Sequence, residues 1–252
     1  MHRLRATVPQ IRMQRYDLAC RHNPEVDGVE LYVWARSVAL ALFDDIGHVE
    51  IAMRSAMAKE MARTYGLTWY EQDAILDDGT LELIDEAKRR SRVRDLPNDS
   101  ALIHGKVVAS LMLGFWVKLL GRGMYREHGD QRNRRIHDTL IWKAAAHRAF
   151  PNVDELARQR VEGVARYVQT LRNRIAHHEH VVWGVPIAGE KDVRGNSVRL
   201  SLGAAHENVF VLASFIDRGF ASWLRENSAV QSRIDACPIY AGELMLIDEM
   251  RA

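Results

Sequence analysis

The sequence contains little cysteine, little proline and no long apolar run. Its 252 residues include only six prolines and two cysteines, Cys20 and Cys237. Two distant cysteines are too few for a disulfide scaffold or a four-thiolate zinc site. The most apolar segment, VVASLMLGFWV at 107–117, ends at Lys118, well short of the roughly 20 residues that cross a bilayer. The first residues carry charge but no apolar core of a secretory signal. We therefore expect a cytoplasmic protein without a membrane segment.

Helical periodicity recurs along most of the chain, and together with the few strand-like alternations it predicts an all-α fold. We expect a loop or weak hairpin at 184–203, where Gly, Pro and Asn accumulate. The predicted helices lie at about 29–44, 46–65, 80–94, 100–119, 130–150, 153–181 and 205–226. The predicted organisation is an N-terminal segment (1–28), a single helical domain (29–226) and a C-terminal tail (227–252).

The net charge of +2 is too small to make the whole molecule a polycation. Attraction to nucleic acid therefore requires local clustering of positive charge. One basic cluster lies at 88–94 and a looser one at 122–135. Each cluster is either a nucleic-acid contact or simply a solvated helix end.

The densest set of chemically versatile side chains is RNRIAHHEH, at Arg172–His180. On a helix that advances by 100° per residue, its apolar neighbours share one face. The positions on that face are Val164, Val168, Leu171 and Ile175. Asn173 and His177 then stack on each other on the opposite side. His178 falls near the edge of the apolar face, which predicts a hydrogen-bonded structural histidine.

A polar helix face is ordinarily just solvated, yet this one combines groups suited to phosphate chemistry. Imidazole exchanges a proton near neutral pH, and a guanidinium holds phosphate through paired donors. On the helical wheel Arg174 lies about 60° from His177, and Arg172 about 140° from it. A single helix therefore favours Arg174 as the phosphate ligand, whereas side-chain length or a neighbouring subunit allows Arg172.

A metal site is the weaker interpretation of the histidine cluster. The zinc-protease spacing H-E-x-x-H fails because position 182 is valine, and adjacent histidines on a helix point about 100° apart, so they rarely chelate one ion. We expect neither a metal nor another cofactor.

The pattern Arg-Asn, three residues, His occurs a second time in RNRRIH, at Arg132–His137. Here Asn133 lies only about 60° from Ile136, which begins an apolar face. The segment also falls at a predicted helix start rather than inside a long amphipathic helix. We expect this copy to be a basic helix N-terminus that assists RNA binding, with the main site at Arg172–His180.

Three segments in order resemble the Abi-like (abortive infection D/F type) proteins of the HEPN superfamily. LRNRIAHHE at Leu171–Glu179 is similar to the family signature, in which an arginine precedes a histidine by a few residues. DDIGHVEIAMRSAM at Asp44–Met57 resembles the family's helix with a Gly-His-hydrophobic-Glu start and a downstream arginine. LMLGFWVKLL at Leu111–Leu120 resembles its Gly-Phe-Trp helix. The resemblance covers roughly residues 30 to 185.

The resemblance implies a HEPN-like helical bundle, here with additional N-terminal and C-terminal helices. It also implies a homodimer with two Arg-x4-His motifs facing each other at the interface. The implied activity is metal-independent RNA cleavage, or RNA binding, in phage defence or a toxin–antitoxin system. RNA is then the partner, and an antitoxin or guide RNA a further one.

Carried over residue by residue, the catalytic set comprises Arg172, Asn173 and His177. The supporting set comprises Arg174, His178, Glu50 and Arg54. The chain departs from the family where His180 replaces a common proline, which predicts a longer helix. It departs again where Glu179 stands at the position of a tyrosine that partner enzymes modify, which puts that mode of regulation in doubt.

Two other interpretations of the same stretch stay open. A non-catalytic RNA-binding or regulatory protein would use the arginines for phosphate while the histidines transfer no proton. A structural dimerisation module would use the stretch for subunit contacts alone. The leading hypothesis is an endoribonuclease in which His177 acts as general acid or base and Asn173 orients its ring. Arg172 or Arg174 would neutralise the phosphoryl oxygens.

Overall fold

The computed structural model describes residues 2–97, 99–154 and 157–239. The described chain is mostly helical, which confirms the predicted all-α class. The sheets in these ranges are two antiparallel hairpins. Contacts divide the chain into two compact units: unit 1 comprises 1–46, 170–207 and 224 onward, and unit 2 comprises 47–169 and 208–223.

The secondary structure follows the chain as ten α-helices and four strands within the described ranges. The first helices are α1 (His2–Thr7), α2 (Gln10–Ala19), α3 (Gly28–Tyr65), α4 (Asp78–Arg90), α5 (Ser100–Ser110) and α6 (Leu113–Leu120). The later helices are α7 (Arg158–Ala176), α8 (Leu202–Ile216), α9 (Arg218–Asn227) and α10 (Val230–Asp235). The strands are β1 (Tyr125–His128), β2 (Gln131–Arg134), β3 (Val185–Lys191) and β4 (Ser197–Leu200).

Helix α3 is one continuous helix where the sequence predicts two. Gly47 interrupts the apolar pattern but not the backbone. A glycine inside a helix costs about 1 kcal/mol, and apolar side chains on both sides of it are fully buried at spacings of three and four. These are Val38, Leu42, Ile46, Val49, Met53 and Met57. Their burial outweighs the cost of the glycine.

Helix α4 lies in the predicted region, but it begins two residues earlier than predicted, at Asp78, and ends at Arg90 rather than at 94. The Asp77 side chain accepts a hydrogen bond from the Thr80 N–H and caps the first turn. The last turn carries Lys88, Arg89 and Arg90, where positive charge suits the negative end of the helix dipole.

The predicted helix at 100–119 is broken into α5 and α6, which are bent by 91°. Within the described residues no single helix is long and apolar enough to cross a membrane, while this bent pair passes the same test of length and composition. The predicted helix at 205–226 is likewise broken, into α8 and α9. The Asp217 side chain at this second break accepts from the Phe220 N–H at 2.6 Å.

The predicted helix at 130–150 is wrong, because its first residues belong to a hairpin. β1 pairs with β2, and His128 lies opposite Gln131. The two-residue turn between them contains Gly129 with a φ of +56°, a conformation that tight hairpin turns require and that glycine adopts at low cost. A π-helical turn (Asp138–Lys143) and a 3₁₀ turn (Ala146–Ala149) follow.

The second hairpin lies where a loop or weak hairpin is predicted, at 184–203, and the structure has the hairpin: β3 pairs with β4, with a register shift between Pro186 and Lys191. The predicted N-terminal segment contains α1 and α2, and the predicted tail contains α10. The rest of the tail, from 240, lies outside the described residues.

Candidate functional site

The stretch RNRIAHHEH spans the end of α7, not its interior. The helix ends at Ala176, so the predicted extension to 181 is wrong. The His178 N–H donates to the Ile175 carbonyl at 2.9 Å, and the Glu179 N–H donates to the Arg174 carbonyl at 2.8 Å. This pair of bonds is a Schellman motif, which satisfies the last carbonyls of a helix.

The Schellman motif explains why the prediction for His178 is wrong. Its φ is +58°, a left-handed conformation uncommon outside glycine, although His adopts it more often than most residues. The turn of the backbone places the His178 side chain at an exposed position rather than at the apolar edge. Its carbonyl is the bonded group, because it accepts from Arg12 Nη1 at 2.5 Å.

The apolar face of α7 lies where the wheel predicts it. Val168, Leu171 and Ile175 are buried, and Val164 is half-buried. Asn173 and His177 are exposed. In the part of the chain that the structure describes, no hydrogen bond joins the Asn173 amide to the His177 ring. The structure therefore gives no support to the prediction that Asn173 orients the His177 ring.

The two arginines of the motif have different surroundings. Arg174 Nη1 lies 2.8 Å from Glu179 Oε2, and its Nη2 donates to the His180 carbonyl at 3.3 Å. The side chain of Arg174 is 21% exposed, and burial lowers its pKa from the ordinary arginine value. Arg174 therefore fastens the segment after the helix, which removes the advantage that the wheel gave it as phosphate ligand.

Arg172 is half-buried, and its guanidinium carbon lies 5.8 Å from the centroid of the Phe43 ring in unit 1. An aromatic face attracts a guanidinium, so this contact orients the Arg172 side chain. Arg172 stays a candidate phosphate ligand on the family resemblance.

A cluster of α2 and post-helix side chains lies beside the motif in unit 1. His180 Nδ1 lies 2.9 Å from the Tyr16 hydroxyl, and its ring packs edge-on against Tyr16 and Trp183. The guanidinium carbon of Arg15 lies 4.4 Å from the centroid of the Trp183 ring. Burial, together with the charges of Arg12, Arg15 and Arg174, lowers the pKa of His180 to about 4. His180 is therefore a neutral packing residue at physiological pH.

Arg12, Arg15, Tyr16 and Trp183 are absent from the sequence-based set of site residues. The α2 members lie more than 150 residues before the motif in the chain, and no local pattern joins them to it. The sequence signal for them is the pair of arginines beside a tyrosine in α2, but only the tertiary fold brings these side chains to the motif.

Glu50 and Arg54 hold the corner between α5 and α6 in unit 2. Arg54 Nη1 donates to the Ala109 carbonyl at the end of α5, at 3.1 Å. Glu50 Oε1 accepts from the Leu113 N–H at the start of α6, at 3.1 Å. Each charge suits the helix end that it meets. Their observed role is to connect the Gly-His-hydrophobic-Glu segment with the Gly-Phe-Trp helix.

The second motif copy, Arg132–His137, is not a helix start. Arg132 and Asn133 lie in β2, and the Arg132 guanidinium lies 4.0 Å from the centroid of the Tyr125 ring. His137 is fully buried, with its Nε2 3.5 Å from Asp77 Oδ2. Burial lowers its pKa although the Asp77 charge opposes that shift. A buried neutral ring cannot reach RNA, so this copy is unsuited to catalysis.

A serine, a histidine and an aspartate also meet in unit 1. Asp45 Oδ2 lies 2.7 Å from His206 Nε2 and accepts from Ser228 Oγ at 2.6 Å. A catalytic triad needs the histidine between the carboxylate and the hydroxyl, on opposite ring nitrogens. Here the carboxylate lies between the other two, and Ser228 Oγ is 3.5 Å from the same nitrogen, Nε2. The arrangement is a buried structural network.

Among the described residues, no three His, Cys, Asp or Glu side chains are grouped so that they could hold a metal ion. Comparison of the chain with models of protein families, with curated proteins and with solved structures finds no match.

Proposed function

We propose that the chain is a metal-independent endoribonuclease that acts in abortive infection or in a toxin–antitoxin system. The observation that carries this proposal is the end of α7, where His177 is exposed one turn after Arg172 and Asn173. The guanidinium of Arg12 binds the adjacent backbone at the His178 carbonyl. The biological setting rests on the resemblance of the three sequence segments alone.

The chemistry needs a proton acceptor, a proton donor and a positive charge. The ribose 2′-hydroxyl would give its proton to His177 while its oxygen bonds to phosphorus, and the bond to the 5′-oxygen would break as that oxygen takes a proton. The products would be a 2′,3′-cyclic phosphate and a 5′-hydroxyl. Arg172 would neutralise the phosphoryl oxygens during this step. DNA lacks the nucleophile and would resist cleavage.

A homodimer would supply the second proton-transfer group. Each copy offers the exposed His177 ring of its motif, so a second copy would complete an acid–base pair. Helix α3 leaves Val33, Leu40 and Phe43 exposed in unit 1, Leu40 at 60%. These positions fall within about 80° of one another on the helix, and Phe43 contacts Arg172. An apolar stripe that reaches the motif arginine favours a subunit interface beside the motif.

The test is cleavage of a mixed cellular RNA by purified protein in the presence of a metal chelator. We expect cleavage that leaves cyclic phosphate ends and that disappears in His177→Ala. His22→Ala is the matched control, because His22 is an exposed histidine in the α2–α3 loop, and it should cleave like the wild type. Cleavage that needs a metal, or that survives in His177→Ala, contradicts the proposal.

Arg172→Ala and Arg174→Ala separate phosphate binding from support of the fold. We expect Arg172→Ala to reduce the cleavage rate per folded molecule by about 10² or more. We expect Arg174→Ala to lower the stability and to reduce cleavage less. The alternative is a non-catalytic RNA-binding protein. It replaces the enzyme if the wild-type protein binds RNA without cleaving it in any condition and the Arg172→Ala variant no longer binds.

A further inference from the structure

Unit 2 contains a cavity of about 510 Å³ that the proposed RNA chemistry does not use. Its wall is formed by Asp77, the N-cap residue of α4, by helix α6, by the loop at 121–124 and by the part of α7 within unit 2. Pockets that bind small molecules have volumes of roughly 300 to 1,000 Å³. The cavity is therefore large enough for a small organic ligand.

A glycine of α6 borders this cavity. A Cβ atom on Gly114 would lie 2.9 Å from Gln169 Nε2, the end of a flexible side chain, so a side chain there would displace the Gln169 amide. Gly123 has a φ of +74°, and a Cβ atom there would meet the Arg135 carbonyl and the His137 ring. Glycine at 123 therefore lets the loop backbone pack against these two residues.

The carboxylates in the wall already have internal donors. Asp77 Oδ1 accepts from the Thr80 N–H and hydroxyl, and Asp77 Oδ2 accepts from the Met124 N–H at 2.9 Å. Glu162 accepts from Arg158 at 3.0 Å and from Arg166 at 2.5 Å. These carboxylates therefore organise the wall and do not call for a bound cation.

The cations in the wall include two with donors to spare. Lys118 Nζ lies 3.6 Å from Asp77 Oδ1, beyond hydrogen-bond distance, and its side chain is 33% exposed. Arg122 is exposed, and its side chain forms no hydrogen bond or ion pair with any residue that the structure describes. The Lys118 and Arg122 charges are thus available to an anion in the cavity.

We propose that this cavity binds a small phosphate monoester, with Lys118 and Arg122 holding the phosphate group. A phosphate monoester carries about −1.5 to −2 charge at pH 7, which matches two cations better than a carboxylate does. Arginine binds phosphate through paired donors, and lysine acts as a point charge. The cavity exceeds a phosphate in size, so Val117, Met124 and the Gln169 amide contact the organic part. The proposal does not depend on the proposed cleavage of RNA.

The test is calorimetric titration of the full chain with adenosine monophosphate and with ribose 5-phosphate, and with adenosine as the phosphate-free control. We expect saturable binding of at least one ester and none of adenosine. Arg122→Ala and Lys118→Met should each weaken binding by about tenfold or more. Arg89→Ala and Lys59→Met are matched controls, because both side chains are exposed in unit 2 away from the cavity wall.

Arg122→Ala keeps the test decisive if Lys118→Met fails to fold, because the Arg122 side chain has no internal partner to lose among the described residues. The proposal is overturned if neither ester binds at concentrations up to about 10 mM. It is equally overturned if Arg122→Ala binds the esters as tightly as Arg89→Ala does, or if adenosine binds as well as its monophosphate. An RNA-cleavage assay on wild-type protein and Arg122→Ala tests the proposed nuclease separately. The nuclease proposal stands or fails on cleavage by both proteins, and the cavity proposal on binding of the esters.

Discussion

Replacing Asp45 by alanine tests the buried network in unit 1. Asp45 is 3% exposed and accepts from both His206 and Ser228. The substitution removes two hydrogen bonds to a carboxylate, each contributing about 1.5 to 3 kcal/mol. It also leaves the half-buried His206 and Ser228 side chains without this acceptor. We expect the free energy of unfolding to fall by about 3 to 5 kcal/mol.

Urea unfolding followed by circular dichroism measures this change. Asp44→Ala is the matched control, since Asp44 is the exposed neighbour on the same helix, and it should change stability by less than about 0.5 kcal/mol. Ser228→Ala should cost about 1.5 to 2 kcal/mol, and the double variant should cost less than the sum of its parts by about 1 kcal/mol or more. A loss below about 1 kcal/mol for Asp45→Ala, or strict additivity, refutes the network.

Three further predictions concern histidines. His178→Gly should raise the free energy of unfolding by about 0.5 to 1 kcal/mol, because glycine adopts the positive φ without strain. A lower free energy of unfolding, measured with urea, would contradict the left-handed conformation of His178. His180 has its folded-state pKa lowered to about 4 from 6.5, so the unfolded chain binds the proton first as the pH falls. Stability should therefore decrease from pH 6.5 to pH 4, and less in His180→Asn, as thermal melts at each pH would show. His137→Ala should cost about 2 to 4 kcal/mol through its cavity while leaving RNA cleavage per folded molecule unchanged; loss of cleavage in the folded variant would assign catalysis to the second motif copy.

The sequence predicts the helices better than it predicts where they end. Periodic apolar positions identify α7 and the two halves of α3, because burial of a helix face repeats every three to four residues. The corner between α5 and α6 carries no such local signal. It depends on Glu50 and Arg54, which satisfy backbone groups about sixty residues away in the chain. The apolar run through this corner therefore predicts one helix where the fold has two.

The hairpin at β1 and β2 was missed for a related reason. Its residues are polar and exposed, so neither strand shows alternating burial. The prediction of a helix from 130 depends on Asp130, a good N-cap residue, whereas Asp130 lies in the turn of the hairpin. His137, the last residue of the second motif copy, is instead fixed by its burial beside Asp77. Its environment comes from a residue sixty positions earlier, which a helical wheel cannot represent.

At the main motif the helical wheel is correct as far as His177, one residue past the end of α7, and fails at His178, two residues past it. It predicts Asn173 and His177 as exposed, and they are. It fails at His178 because the Schellman motif reverses the backbone there. The Arg174–Glu179 ion pair and the Arg12 bond to the His178 carbonyl fasten the segment that follows.

The same geometry separates two tasks within one polar stretch. Arg174 and His180 stabilise the segment after the helix. Arg174 is ion-paired with Glu179, and His180 is neutral and packs against Tyr16 and Trp183. Asn173 and His177 remain exposed beside an arginine whose guanidinium lies near an aromatic ring. A solvated helix end would not need a half-buried neutral histidine and an arginine from α2 bonded to its backbone. Rigid support beneath exposed polar groups is what a catalytic or binding site requires, and this contrast favours a functional interpretation of the motif.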